Sequence, residues 1–249
     1  MEQTQLVGQF DFPVAYNLLA TFLFALTGVI LATKKKYDLI GVFILAIVAG
    51  AGGGLIRDGI FLQDGPPLLL QDYRFLIAIL LAIVVGSFLY HVVKKFDGMF
   101  FIADALGLGI YGVIGAQMSI NAGLGILAAV MVGFVSAIGG GVLRDVLTKK
   151  EPVIFFPGQY YAAAALVGVT LFLFLAASLK VNAEVAALIA IGVTFFMRLA
   201  AMKFDLSTKP LANFADVNRS TFLDIVDIVK PKIIRKKNKK TKIEIKLHK

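Results

Sequence analysis

The chain has 249 residues, 59% of them hydrophobic and only 16% charged, and a mean hydropathy of +0.85, a balance that excludes an ordinary water-soluble domain. It has no cysteine, and its two histidines, His91 and His248, lie far apart, so disulfides, thiolate sites and a histidine-based metal centre are not expected. The net charge of +9 belongs to one end: residues 1–202 hold 12 basic and 11 acidic side chains, residues 203–249 hold 13 and 5, which points to a membrane-embedded body with a basic tail rather than a nucleic-acid binder.

The apolar residues come in blocks of about 20, the length that crosses ~30 Å of hydrocarbon. Seven spans are expected, at about 14–33, 38–62, 73–93, 98–117, 123–147, 158–178 and 183–202. Acidic rather than basic residues precede the first block and no small-x-small site follows it, so it reads as a retained helix and not a signal peptide. Lys34, Lys35 and Lys36 follow span one, Lys94 and Lys95 follow span three, Arg144, Lys149 and Lys150 lie at or after the end of span five, and the tail follows span seven. The alternate loops offer only Arg57, Arg74 and Lys180. The positive-inside rule then places the N-terminus outside and the C-terminus in the cytoplasm of a multi-pass protein of the cell membrane.

Spans two and five carry the same motif. GAGGGLIRDGI at 50–60 and SAIGGGVLRDVL at 136–147 align Gly52, Gly53, Gly54, Arg57 and Asp58 with Gly139, Gly140, Gly141, Arg144 and Asp145, at an offset of 87. The same offset relates Tyr73 to Tyr160, Gly28 to Gly115 and Asn17 to Asp104. A repeat of this length is a structural unit. Each copy holds three spans, an odd number, so the second must enter the membrane from the opposite side, as in transporters built on inverted repeats. The expected fold is therefore all-α: a transmembrane domain over 1–203, with repeat one at about 14–93, repeat two at about 98–178 and a seventh helix at about 183–202, followed by a tail over 204–249.

Three successive glycines cost a helix roughly 1 kcal/mol each, so each triplet requires compensation. Two readings stand. Either helices two and five are kinked or broken there, with freed backbone groups lining a pathway, or the glycines let helices pack closely. The Arg–Asp pairs likewise read as interfacial pairs whose arginines snorkel, or as charged mouths of a pathway, with Asp58 and Asp145 attracting cations. Asp104, inside FFIADALGLGIYG, is an ionisable residue within a span and so a candidate pathway residue by default; the alternative places it at an interface beside Lys94 and Lys95. Its counterpart Asn17 joins it as a candidate. Arg198 reads as a snorkelling residue at the cytoplasmic end of span seven.

GLGIYG at 107–112 spells a dinucleotide fingerprint but lies within a continuous apolar span, and GAGGGLIRD lacks the Gly-Lys-Ser/Thr ending of a phosphate-binding loop. No Ser, His and Asp cluster suggests catalysis, and no cofactor is implied. The tail reads as solvated and disordered, with two alternatives: a short amphipathic helix near 222–229 and contact of its lysine run with anionic lipid.

The doubled GGGxxRD, the three-plus-three-plus-one plan and the outside N-terminus resemble the prokaryotic members of the trimeric intracellular cation (TRIC) channel family, a family also labelled as containing a glycine-transporter domain. The resemblance covers about residues 12–204. It implies a homotrimer with one pore per protomer, kinks at Gly52 to Gly54 and Gly139 to Gly141, passage of monovalent cations, principally potassium, and membrane lipids as partners. Animal members carry a basic lipid-interacting site near one triplet, to which Arg57 and Arg144 correspond only loosely. The expected function is a passive cation channel, and the alternative is a carrier of glycine or another small solute.

Overall fold

The computed structural model describes residues 14–63, 65–89, 98–155 and 160–204. The chain divides into two units, Met1–Ser207 and Thr208–Lys249. The second lies outside the described residues, and with it the expectations for the tail; His91, Lys94 and Lys95 also fall outside them.

The described chain is all helical. Helix α1 spans Val14–Lys34, α2 Leu39–Ile56, α3 Leu68–Gln71, α4 Tyr73–Phe88, α5 Gly98–Asn121, α6 Ile126–Leu147, α7 Tyr161–Leu173 and α8 Ala183–Lys203. Side-chain caps mark three of the starts: Asp38 accepts from the Gly41 amide, Asp72 from the Arg74 amide and Asn182 from the Glu184 amide. Helix α2 continues through Arg57–Leu62, and α7 through Phe174–Ser178, as wider π-helical turns.

Counting these continuations, six helices among the described residues are long and apolar enough to cross a membrane. Within the third expected span the described helix, α4, has 16 residues, about 24 Å at 1.5 Å per residue, and residues 90–93 lie outside the described ones. Large apolar side chains stand exposed along α4 (Leu76, Ile77, Leu80, Leu81, Val84) and α8 (Leu188, Ile189, Phe196). Such faces are liabilities in water and ordinary in lipid.

Helices α1, α2 and α4 pack together, as do α5, α6 and α7, while α8 lies on α5 and α7. The two groups meet along α2 against α6 and α1 against α5. The contacts across that boundary are reciprocal under the 87-residue offset: each has a mate in which both residues are replaced by their counterparts. A Cβ placed on Gly53 would run into the Ser136 carbonyl oxygen, and one placed on Gly140 would run into the Ala49 carbonyl oxygen; Ala49 and Ser136 are themselves 87 apart. A Cβ on Gly139 would come 3.1 Å from the Gly53 Cα. Phe24 stacks on Tyr111, its own counterpart, at 5.6 Å between centroids.

The glycine triplets are therefore a helix crossing. Both lie in continuous α-helix, and the carbonyls of Gly53 and Gly54 accept from the Arg57 amide. The expectation of helices broken at the triplets is corrected on this point. The change in hydrogen bonding comes later, at Arg57–Leu62, and α6 passes its triplet and its Arg–Asp pair without one. The propensity cost of the glycines is offset by backbone-to-backbone approach, the main source of helix association where lipid removes the hydrophobic driving force.

Candidate functional site

Two buried polar clusters flank this crossing. In the first, Arg57 and Asp58 are 1% and 7% exposed, and Arg57 Nε donates to Asp58 Oδ1 at 2.6 Å. The other carboxylate oxygen of Asp58 accepts from the Leu68 amide at 3.1 Å, which ties the segment after α2 back onto its end. Nearby, the Tyr111 hydroxyl lies 2.6 Å from the Gly50 carbonyl and 2.7 Å from Thr21 Oγ1, and Thr21 lies 2.9 Å from the Asn17 carbonyl. Each hydroxyl has one proton. Either Tyr111 donates to Gly50 and Thr21 to Tyr111, or Tyr111 donates to Thr21 and Thr21 to Asn17. In both arrangements the chain of bonds joins α1 and α5, and in the first it reaches α2.

The second cluster is denser. Arg144 donates through Nε to Asp145 at 3.0 Å and through Nη1 to Asp104 at 3.1 Å and to Thr27 at 2.7 Å. Arg198, brought in by α8, reaches the other oxygen of Asp104 at 3.5 Å. Phe100 lies under the Arg144 guanidinium and Tyr161 under that of Arg198, each with its centroid at 4.7 Å. Two guanidinium and two carboxylate groups thus cancel within one buried cell, which is what allows four charges to sit 1–5% exposed inside an apolar protein.

One placement corrects the sequence reading, that of Arg198, and two bear on its open alternatives. Arg57 and Arg144 do not snorkel: both fold back into the interior onto the aspartate that follows them. Arg198, expected to reach the cytoplasmic interface, is 1% exposed and pairs with Asp104. Asp104 does not lie at a surface; it is 2% exposed and holds two arginines. Physically, an arginine within a span reaches for water only when no buried carboxylate is nearer. Sequence reasoning missed Thr21, Thr27, Tyr111 and Tyr161. The one local signal was the presence of hydroxyl side chains within spans, since Thr27 and Arg144 are 117 residues apart.

A cavity of about 640 Å³ lies beside the first cluster, among α1, the segment 62–72, α4 and α5. Asn17, Asp58, Gln71, Asp72, Gln117 and Asn121 supply its polar wall, and Phe75, Ile114 and Met118 are among its apolar residues. A separate small recess that shares part of this lining has Asn17, Thr21, Arg57, Asp58 and Tyr111 among its residues. Asp72, at the exposed end, accepts hydrogen bonds from the Arg74 side chain and amide, which hold its carboxyl below the usual range and keep it ionised at neutral pH. No group of three or more His, Cys, Asp or Glu residues that could hold a metal ion occurs among the described residues.

A membrane protein with a cavity between two helix groups, part of its wall polar, is the class this geometry defines. The profile of a family described as "Glycine transporter" matches residues 14–91 and 101–177. The chain is 32% identical to the UPF0126 inner membrane protein YadS of Escherichia coli K12 over 197 residues, 79% of this chain and 94% of that one. It is 35% identical to a UPF0126 membrane protein of Deinococcus radiodurans over 153 residues, 61% and 71% of the two chains. Among solved structures, the TRIC trimeric intracellular cation channel orthologue of Rhodobacter sphaeroides matches with a TM-score of 0.72 at 29% identity, covering 77% of this chain and 97% of the other. A second TRIC cation channel matches with a TM-score of 0.70 at 30% identity, covering 81% and 98%. The chain belongs to this TRIC/UPF0126 family of membrane proteins.

Proposed function

We propose that the protein is a passive channel for monovalent cations, principally potassium, with one pathway inside each protomer of a homotrimer. The protomer has seven spans, the third containing α4, arranged as two inverted three-helix repeats and a seventh helix. The N-terminus faces outside and the tail the cytoplasm. The contacts exchanged by the 87-residue offset support the repeat, because they are what a local two-fold axis through the Gly53 and Gly140 crossing requires. Likeness to solved cation channels supports the activity.

The observation that carries the reading is the cavity lined in part by Asn17 and Asp58, set against the buried cluster of Asp104, Arg144, Asp145 and Arg198. Carboxylate and amide oxygens line the outer approach and favour cations. The second cluster closes the cytoplasmic end in this conformation. The glycine crossing between the two, Gly52 to Gly54 against Gly139 to Gly141, is the hinge about which the repeats separate, and Arg57 and Arg144 turn with it.

Two measurements test this. Accessible cysteines at Lys35 and Lys239 are expected to label from the cytoplasm and one at Gln63 from outside; labelling of Gln63 and Lys239 from the same side would remove the inverted repeat, since an odd number of spans separates them. Proteoliposomes are expected to show potassium flux without saturable uptake of labelled glycine. Saturable glycine uptake without potassium flux would make the protein a carrier.

A further inference from the structure

The segment between α2 and α4 is braced within itself and tied to the end of α2 by a carboxylate. Gln71 donates to the Pro66 carbonyl, the Leu70 amide to the Pro67 carbonyl at 2.8 Å and the Asp72 amide to the Leu68 carbonyl at 3.1 Å, so residues 65–72 hold together as a unit. Leu69 packs, partly buried, on the core of the first helix group. Asp58 uses both of its oxygens: Oδ1 accepts from Arg57 Nε at 2.6 Å and Oδ2 from the Leu68 amide at 3.1 Å. Leu68 is the first residue of α3, where an amide has no partner within its own helix. The second repeat spends the equivalent amide differently. Phe155, 87 residues after Leu68, donates to the Pro152 carbonyl at 3.1 Å, and Asp145 lies in unbroken α-helix with Arg144 on its Oδ1.

Pro66, Leu68, Gln71 and Asp72 of this unit supply one wall of the 640 Å³ cavity, and Asn17 of α1 and Ile114 of α5 belong to the others. Pro67, Leu68 and Leu69 also line the small recess shared with Thr21 and Tyr111. We propose that residues 65–72 are a strap that sets the width of this cavity, and that Asp58 is the residue that seats it. The carboxylate sits in the π-turn that ends α2, so a shift of Arg57 and Asp58 carries the Leu68 amide with it or releases it. Once released, the strap turns about Gly65, whose φ of +87° and open surroundings suit a pivot, while Asp72 stays in place as the cap of α4. The cavity then widens, and its wall at Asn17, 7% exposed in this conformation, becomes reachable from water. Asp58 acts through the strap and is therefore a positioning residue. Regulation of conduction by the strap rests on the channel reading; its seating on Asp58 does not.

The chain has no cysteine, so Asn17→Cys introduces a single thiol on the cavity wall. Its rate of modification by a water-soluble methanethiosulfonate, in the full-length protein in detergent, reports access without any need for conduction. Leu68→Pro deletes the amide that Asp58 holds. The first position of a helix tolerates proline, and Pro67, at φ −54° and ψ 144°, already has the conformation that a residue before proline takes. In the Leu68→Pro background the introduced thiol is expected to react about tenfold faster, the shift that loss of one hydrogen bond permits. Leu68→Ala keeps the amide and removes more of the side chain than proline does, so it should change the rate little. An increase in Leu68→Ala as large as that in Leu68→Pro, or none in Leu68→Pro, would overturn the proposal. Amide hydrogen exchange of the unsubstituted chain keeps the test available if Leu68→Pro does not fold. Protection of the Leu68 N–H by about tenfold or more over an unbonded amide is expected, because no bond within α3 can supply it. Exchange there at the unprotected rate would overturn the proposal equally.

Discussion

Asp104→Asn is expected to destabilise the folded protein by about 3–5 kcal/mol, the usual cost of breaking a buried ion pair from one side. The substitution keeps size and some hydrogen bonding but leaves Arg144 and Arg198 with Asp145 as the one remaining carboxylate in the cell. The uncompensated positive charge is the reason for the large effect, and it can be removed in turn. Asp104→Asn combined with Arg198→Met should recover much of the loss, because the cell is again neutral and the methionine refills the space over Tyr161. Thermal unfolding in detergent over the four-member cycle measures the coupling. Additive effects would show that Asp104 and Arg198 act independently. From the sequence alone, Asp104→Asn reads as a substitution that changes conduction and spares folding; the two arginines found on Asp104 make stability the first property to change. In whatever fraction folds, loosening of this cluster should raise the open probability of the pathway.

Gly53→Leu and Gly140→Leu should each abolish correct assembly or reduce it severely. Either Cβ would strike a backbone carbonyl, of Ser136 or of Ala49, and a backbone cannot move aside as a flexible side chain can. Overpacking of a well-packed core typically costs about 1–3 kcal/mol, and backbone collisions lie at or above the upper end. Even Ala should be harmful at these two positions. Gly192→Ala is the proper control, because a Cβ there meets nothing within 4 Å. Gly86, a lone glycine in α4, is a poor control despite its isolation in sequence: a Cβ there would lie 2.6 Å from Val29 Cγ1. Size-exclusion profiles and melting temperatures of the three variants decide the matter, and equal tolerance at 53, 140 and 192 would remove the crossing as a constraint.

These cases also mark what the sequence discloses. The helices and their order were legible because hydropathy over 20 residues integrates many side chains, and the duplicated GGGxxRD was legible because it is local. Partners were not. Whether an arginine snorkels or turns inward depends on a carboxylate 40 or 94 residues away, as for Arg144 and Arg198 with Asp104. A triplet of glycines looks the same whether it breaks a helix or admits a neighbouring backbone, and the structure decides between them through Ser136 and Ala49. The π-turns at Arg57–Leu62 and Phe174–Ser178 were equally hidden, since neither RDGIFL nor FLAAS carries a residue type that marks a wider helical turn.

The most direct test of the account is the reversal potential of unitary currents from the purified protein in a planar bilayer under a tenfold potassium chloride gradient. A cation-selective pathway is expected to reverse near the potassium equilibrium potential, about 59 mV in magnitude for a monovalent ion, with steps of uniform conductance. Reversal near zero or toward the chloride potential, or no unitary current from protein that is folded and assembled, would contradict the account.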